Sequence, residues 1–545
     1  MTTNNARTAV LDSAHIGDIR GALGTIRHGD VAPRTGLWHR IKTLLAILGP
    51  GLIVMVGDND AGAFSTYSEA GQNYGTSLLW VLALLIPVLY VNQEMVLRLG
   101  AVTGVGHARL ILDRFGKFWG AFSVVDLFIL NALTIVTEFI GISLGLEFLG
   151  IPKLAGIGIA AVFIILAAGT GDFRRFERFS LILVAGSLLL VPIFIMVHPP
   201  MLQVLHDFVT PQLPKGAKLS DVMLLVIALI GTTIAPWQLF FQQSYVIDKR
   251  ITPRFIKYGR IDLWLGIIVV IVGAAAMIAF TSETFAGRLG FGNFTDAAGV
   301  AAGLSSYHNK LTGTLFAIAL IDACIIGAAA VSLSTAYAIG DVLSLKHSLH
   351  RKPTEAKGFY AVYIALIVVA AALVVIPGTP LGLLTNAVQT LAGILLPSAS
   401  VFLLLLCNDK EVLGPWVNSK STNLFTAIVC AILVALSLIL TASVVFPDIS
   451  GDSIALILAG VGILGVLVAI AIWTLRVHKV AECPSEDEPV YALAAVESIH
   501  WRMPPLDELK PPSLSLATRV WLGVLRAYLV IASAMFAYKV IQLAF

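Results

Sequence analysis

Residues 48–70 read LGPGLIVMVGDNDAGAFSTYSEA, and this stretch decides the fold. It begins as an apolar helix and halts at Gly57-Asp58-Asn59-Asp60-Ala61-Gly62, then resumes as an amphipathic run. The part before Gly57 is too short to cross a bilayer, which needs about 20 residues. The two halves together are long enough. A glycine-flanked break at mid-depth frees backbone carbonyls that hydrocarbon cannot satisfy, so it survives only where it lines a polar site. Acidic residues inside a membrane cost about 2.5–3.5 kcal/mol each and mark an ion or substrate pathway. The competing reading makes Asp58 and Asp60 part of a loop, which leaves the flanking apolar segments nothing to span.

Composition supports the membrane assignment. The 545-residue chain is 57% hydrophobic and only 13% charged, against about 25% charged in soluble proteins; its mean hydropathy is +0.88. The four cysteines, Cys324, Cys407, Cys430 and Cys483, form no CxxC and read as small packing residues. Residues 1–40 lack an apolar core followed by a small-residue cleavage site, so no cleaved signal peptide is expected.

Apolar segments fall at about 43–69, 78–97, 119–148, 154–170, 179–197, 221–245, 261–281, 312–340, 359–376, 382–407, 424–446 and 453–475. A last one, at 520–545, contains Arg526 and Lys539 and either spans or lies on the membrane surface. Basic residues gather in the N-terminal segment and the even loops, among them Arg98, Arg114, Arg174, Lys249, Arg250 and Arg351. The odd loops are poor in them, apart from Lys215 and Lys218 in the fifth. The positive-inside rule then places the N-terminus in the cytoplasm.

A second interruption lies in segment six, DVMLLVIALIGTTIAPWQLFFQQSYV, which halts at 231–236. Pro236 removes a helix hydrogen bond, although Gly and Pro alone often only kink a membrane helix. Position is the stronger argument. Segments one and six are five helices apart, so a repeated unit would be inserted upside down. Paired interrupted helices in corresponding places of two halves indicate an inverted-repeat transporter with its site at the midplane. The expected division is 1–40 as an N-terminal cytoplasmic segment, 41–200 and 201–407 as the repeats, and 408–475 as helices 11 and 12. Residues 476–515 read as an acidic, then amphipathic soluble tail, and 516–545 as a possible additional helix.

The pattern GPG…D-x-G-x at 49–63, YGTSLLW at 74–80 and QEMVLRLGAVTG at 93–104 resembles the NRAMP family of divalent-metal transporters. GDFRRFER at 171–178, IGTTIAP at 230–236 and LFAIAL at 315–320 extend the resemblance over most of residues 43–407. It implies an all-α, LeuT-like fold of two inverted five-helix repeats with helices 1 and 6 broken, plus additional C-terminal helices. The family's first-helix motif is Asp-Pro-Gly-Asn, with Asp and Asn as metal ligands. Here Asp60-Ala61-Gly62-Ala63 keeps the carboxylate and puts Ala63 in place of the amide. The family's sixth-helix Ala carbonyl and Met thioether fall on Thr232 and Ala235, its histidine on Trp237, and a site-lining glutamine on Gln389. Asp58 is a carboxylate where the family usually has none.

Loss of the thioether and of the Asn leaves an all-oxygen site: Asp60, Asp58, the Thr232 hydroxyl, and carbonyls near Gly57 and Thr232. Two alanines in place of larger side chains widen it. Such a site suits partly hydrated Mg²⁺ and still accepts Mn²⁺, so the chain looks like the NRAMP-related magnesium transporters. The family's proton relay is thinned as well. Glu138 matches a third-helix Glu, but the Asp one turn earlier falls on Ile135, and residues 359–376 contain no Arg. The expectation is uncoupled, voltage-driven uptake of Mg²⁺ and Mn²⁺ by a monomer in a bacterial inner membrane. The expected partners are divalent cations and the lipid bilayer. The metal is substrate, no cofactor and no nucleic acid take part, and the chain is not an enzyme.

A proton-coupled Mn²⁺/Fe²⁺ importer is the nearest alternative, and a membrane sensor of NRAMP type comes from another class. An amino-acid symporter fits less well, because two Asp would face a substrate carboxylate. Asp58 has a competing role as the cap of the following half-helix, and Asp322 as partner in an interhelical hydrogen bond. Trp237 reads as packing.

Overall fold

In the computed structural model the described residues are 9–376, 381–445 and 495–510, with a few single positions beyond. The predicted segments at 453–475 and 520–545 lie largely outside them. Eight described helices are long and apolar enough to cross a membrane, or nine if the bent pair Leu37–Ile47 (α1) and Pro50–Val56 (α2) is one span. The first broken span continues with α3 (Ala61–Tyr74). After it come α4 (Leu79–Thr103), the short α5 (His107–Phe115), α6 (Lys117–Phe148) and α7 (Lys153–Gly169). The fifth span is α8 (Phe173–Gly186) and α9 (Leu190–Val197), joined by a 3-10 turn. Short α10 (Met201–Val209) leads to the second broken span, α11 (Leu219–Thr233) and α12 (Pro236–Asp248). Next are α13 (Ile256–Phe285), short α14 (Ala297–Tyr307), α15 (Lys310–Val342), α16 (Lys357–Val375), α17 (Leu381–Cys407), short α18 (Lys410–Leu413) and α19 (Lys420–Val445).

The packing has the symmetry of an inverted repeat. The first span rests on α13, the seventh, and α12 of the sixth span rests on α4, the second. The third and eighth spans, α6 and α15, share the most extensive helix contact. Contact between α17 and α6 is matched by α15 against α8, and α11 against α17 by α2 against α8. Exchanging the two sets of five helices reproduces these neighbours.

The first span bends twice, once more than its apolar pattern shows. The angle between α1 and α2 is 51°, at Gly49, whose φ of +150° favours glycine. Pro50 occupies the first helical turn, where its missing N–H costs nothing. Asp262 of α13 receives the orphan N–H groups of Gly49 (3.0 Å), Gly51 (2.7 Å) and Leu52 (3.3 Å). A Cβ on Gly51 would lie 2.7 Å from the Leu263 backbone, so the helices cross there at backbone contact. The GPG run therefore starts α2 against α13.

The N-terminal segment is structured. Ile19–Gly21 and Gly24–Ile26 form a two-stranded antiparallel hairpin. It lies at the end of the bundle where the even loops meet: Arg250 donates to the carbonyls of Ala14 and Asp18, Arg351 to Asp12, and Arg174 to Thr25. Beneath it a fully buried Lys249–Glu177 ion pair (2.6 Å) forms, with Lys249 also donating to the Leu48 carbonyl at 2.7 Å. The loop holding Lys215 and Lys218 lies at the opposite end, where Thr76 bonds Asp207 and Trp80 bonds the Gln212 carbonyl. The described part of the tail, residues 495–510, is bonded to the bundle: Ser498 accepts from the Trp416 indole at 2.9 Å, and Lys510 from Arg114 at 2.6 Å.

Candidate functional site

The two broken spans meet at mid-bundle. α2 ends at Val56, Gly57 caps it, and α3 begins at Ala61. Across from it α11 ends at Thr233, Ile234 and Ala235 are extended, and Pro236 starts α12. The interruption in the sixth span is thus at 234–235, inside the predicted 231–236 window. Gly231 is still helical, and its role is contact: a Cβ there would lie 2.4 Å from the Gln389 carbonyl oxygen on α17.

The breaks divert backbone N–H groups from their helical carbonyl partners. A continuous helix would give the Ala61 N–H to Gly57; it goes instead to Glu138 Oε2 at 3.2 Å. The Ala63 N–H, due to Asn59, goes to Asp60 Oδ1 at 3.0 Å. In the sixth span the group four residues after Thr232 is Pro236, which has no N–H, so the Thr232 carbonyl cannot make its helical bond.

Asp58 and Asp60 are 1% and 3% exposed, so both carboxylates are withdrawn from solvent. Their roles differ from the sequence reading in one respect. Asp60, not Asp58, is the N-cap of α3. Asp58, which lies beside Gln238, has no hydrogen-bond partner on either oxygen. Gln238 commits its amide to the Thr233 carbonyl (3.5 Å) and its oxygen to Gln93 (3.0 Å). A buried carboxylate with both oxygens unpartnered is costly, and this one faces the second break. The Thr232 hydroxyl is likewise buried and unpartnered, not back-bonded to its helix as Thr233 is to Leu229.

Ala63 is fully buried in the first turn of α3, and Ala235 is the extended N-cap of α12. Gln389 lies over the start of α3: a Cβ on Gly62 would fall 1.8 Å from its Nε2, so Gly62 is the only residue type that leaves room for that amide. Glu138 adjoins Asp60, and both press on Gly327 of α15, where a Cβ would be 2.9 Å from the Glu138 carboxyl carbon and 3.1 Å from Asp60 Cβ. The second Glu138 oxygen, Oε1, has no partner.

The structure adds to or corrects the sequence reading at three residues. Trp237 bridges the breaks, its ring 3.8 Å from where a Gly57 Cβ would be, with the indole N–H buried and unpartnered. Tyr67 of α3 bonds Thr233 at 2.8 Å, tying the two spans together. Asp322 makes no hydrogen bond among the described residues, so the expected interhelical bond is absent there. Among the described residues no three His, Cys, Asp or Glu side chains group as a metal cage. Any cation held here would take two aspartates together with hydroxyl, amide and backbone oxygens.

Comparison with known proteins agrees with this architecture. The divalent metal cation transporter MntH of Ralstonia nicotianae is 28% identical over 411 residues, covering 72% of this chain and 89% of that one. A natural resistance-associated macrophage protein 2 homolog of Dictyostelium discoideum is 24% identical over 426 residues, covering 76% of this chain and 66% of its own. The crystal structure of the Eremococcus coleocola manganese transporter superposes with a TM-score of 0.59 at 21% identity, over 82% of this chain and 97% of that one. It shares the LeuT-like fold. The family model described as natural resistance-associated macrophage protein-like matches residues 51–443, most of the chain and both broken spans: this chain belongs to the Nramp family.

Proposed function

We propose that the chain carries divalent metal cations across a membrane by alternating access, with Mn²⁺ and Mg²⁺ as cargo. The observation that carries this reading is the unpartnered Asp58 carboxylate, buried beside Asp60 and opposite the free Thr232 hydroxyl. A divalent ion supplies the charge those oxygens lack. Asp60 and Asp58 bind, the Gly57 and Thr232 carbonyls and Gln389 complete the oxygen shell, and Ala63 and Ala235 leave space for retained water. No thioether is present to favour soft metals. The relatives named as divalent metal and manganese transporters support the class of cargo.

The repeats are 41–200 and 201–407, and the end carrying the hairpin and the basic loops is cytoplasmic by the positive-inside rule. The hairpin is tied to the basic loops of that end through Arg250, Arg351 and Arg174. The test is Mn²⁺ uptake by proteoliposomes with Mg²⁺ as competitor. Saturable Mn²⁺ entry that Mg²⁺ inhibits supports the reading, and Mn²⁺ entry indifferent to Mg²⁺ removes magnesium from it. A second reading, proton-coupled import of Mn²⁺ or Fe²⁺, has one observation in its favour: Glu138, with a free oxygen, adjoins Asp60.

A further inference from the structure

Asn59 lies between the two aspartates in sequence but faces away from them. It is 2% exposed, and neither its amide nitrogen nor its oxygen has a partner. A buried carboxamide with no hydrogen-bond partner is costly, so a group that satisfies it is expected. Asn59 lines a cavity of about 10 Å³ on the far side of the broken span, between α8–α9 and α15. Two other polar side chains line it, Asp322 of α15 and Ser187 of the turn between α8 and α9. The remaining wall is apolar and includes Leu183, Leu190 and Ile326.

Each polar group is held in place by packing. The Asp322 carboxylate fills the space over Gly186, where a Cβ would be 2.3 Å from Oδ2. Ser187 spends its proton on the Val184 carbonyl at 2.7 Å, leaving oxygen lone pairs for another donor or a cation. The Asn59 amide rests against Gly273 of α13, 2.7 Å from where a Cβ would stand. Val56, in the last turn of α2, adds a helix C-terminus, the end that favours positive charge.

We propose that Asn59, Asp322 and Ser187 form a second cation site, for one dehydrated monovalent cation of sodium's size. The donors are a carboxylate, an amide oxygen and a hydroxyl, carrying a single negative charge. The cavity has room for about one water-sized particle. Mg²⁺ gives up its waters reluctantly and demands an octahedron of ligands, so neither charge nor space suits it. Half-helix C-termini in broken-helix transporters are suited to this class of ion. The ion would bridge the first broken span to α15 and the fifth span. This inference does not rest on the divalent-site reading.

The experiment is equilibrium binding of radioactive sodium to the full-length purified protein, with non-radioactive Na⁺ and K⁺ as competitors. The expected result is saturable binding, competed better by Na⁺ than by K⁺. Asp322→Asn, close in shape, and Asn59→Leu should each weaken it by at least about tenfold. Should Asn59→Leu fail to yield monodisperse protein, Ser187→Ala must lower sodium affinity by itself. No saturable sodium binding by the wild-type protein, or equal binding by the Asp322 and Ser187 variants, would overturn the proposal and leave a water in the cavity.

Discussion

Asp60 does two jobs that a single alanine substitution cannot separate. One oxygen caps α3 through the Ala63 N–H, which is worth about 1 kcal/mol, and its charge is the part a cation needs. Asn caps as well as Asp. Asp60→Asn should therefore keep the thermal stability of the protein and lose saturable Mn²⁺ and Mg²⁺ transport. Asp60→Ala should lose both transport and about 1 kcal/mol. Near-normal uptake by a well-folded Asp60→Asn protein would remove Asp60 from the site. Selectivity belongs to the same scale. Ala63 and Ala235 stand where larger side chains would narrow the site, one in the first turn of α3 and one before Pro236. Ala235→Met with Ala63→Asn adds a soft sulfur and an amide, and should shift competition from Mg²⁺ toward Cd²⁺. Unchanged Mg²⁺/Cd²⁺ competition in a transporting double variant would mean that selectivity is set elsewhere.

At the level of elements, the hairpin and its anchors form a latch across one end of the bundle. Asp12 takes the Arg351 guanidinium at 2.5 Å and the His347 backbone N–H at 3.0 Å. His347 bonds Asp341 at 3.0 Å through Nε2, and its ring meets that of His15 at 5.2 Å. His15 in turn lies 3.5 Å from Asp248. Burial opposes charge on His347, but Asp341 and Asp12 outweigh it and push its pKa up to about 9; burial holds His15 below the usual range. A raised histidine stabilises fully below its unfolded value of about 6.5, and that contribution is lost as pH rises through about 9. Asp12 is also buried, yet Arg351 and the backbone donors hold it well below the ordinary carboxylate range, so its contribution fades only in strong acid. Limited proteolysis within residues 9–36 should thus be slowest at about pH 6, accelerate as pH rises from about 6.5 to about 9, and level off above that. Asp12→Ala should make it fast at every pH, and equal cleavage of both proteins would dismiss the latch. This element was not legible in the sequence, because its partners are far away: Asp12 and His347 are 335 positions apart, and no periodicity marks residues 1–40. The broken spans were legible because hydrocarbon punishes charge and Gly/Pro locally. The bend at Gly49 was not, since the Asp262 that receives its N–H comes from another helix. The capping of α3 by Asp60 and not Asp58 depends on a choice between carboxylates two residues apart, which spacing alone does not make.

For the whole molecule the question is what drives the cargo. The two helix sets pack with exchangeable neighbours, and the two breaks meet between them. A divalent cation entering a negative interior gains about 4.6 kcal/mol per 100 mV, twice the single-charge figure, so no second ion is required. Proton symport needs titratable groups linked from the site to the far side. Here Glu138 adjoins Asp60, but one turn earlier stands a buried Ile135, across the break a buried Trp237, and residues 359–376 carry no Arg. A proton reaching Glu138 has no side-chain carrier at those positions. Uptake of Mn²⁺ should therefore follow membrane potential and move no protons. The measurement loads proteoliposomes with a pH dye, fixes a negative interior potential, adds Mn²⁺ outside, and records metal and pH together. Metal entry with a flat pH trace is the expected result. Acidification that requires both the protein and Mn²⁺ would sink it. Repeating the measurement with Glu138→Gln locates the fault: if acidification vanishes while Mn²⁺ still enters, Glu138 is the proton's route and the coupled reading is correct.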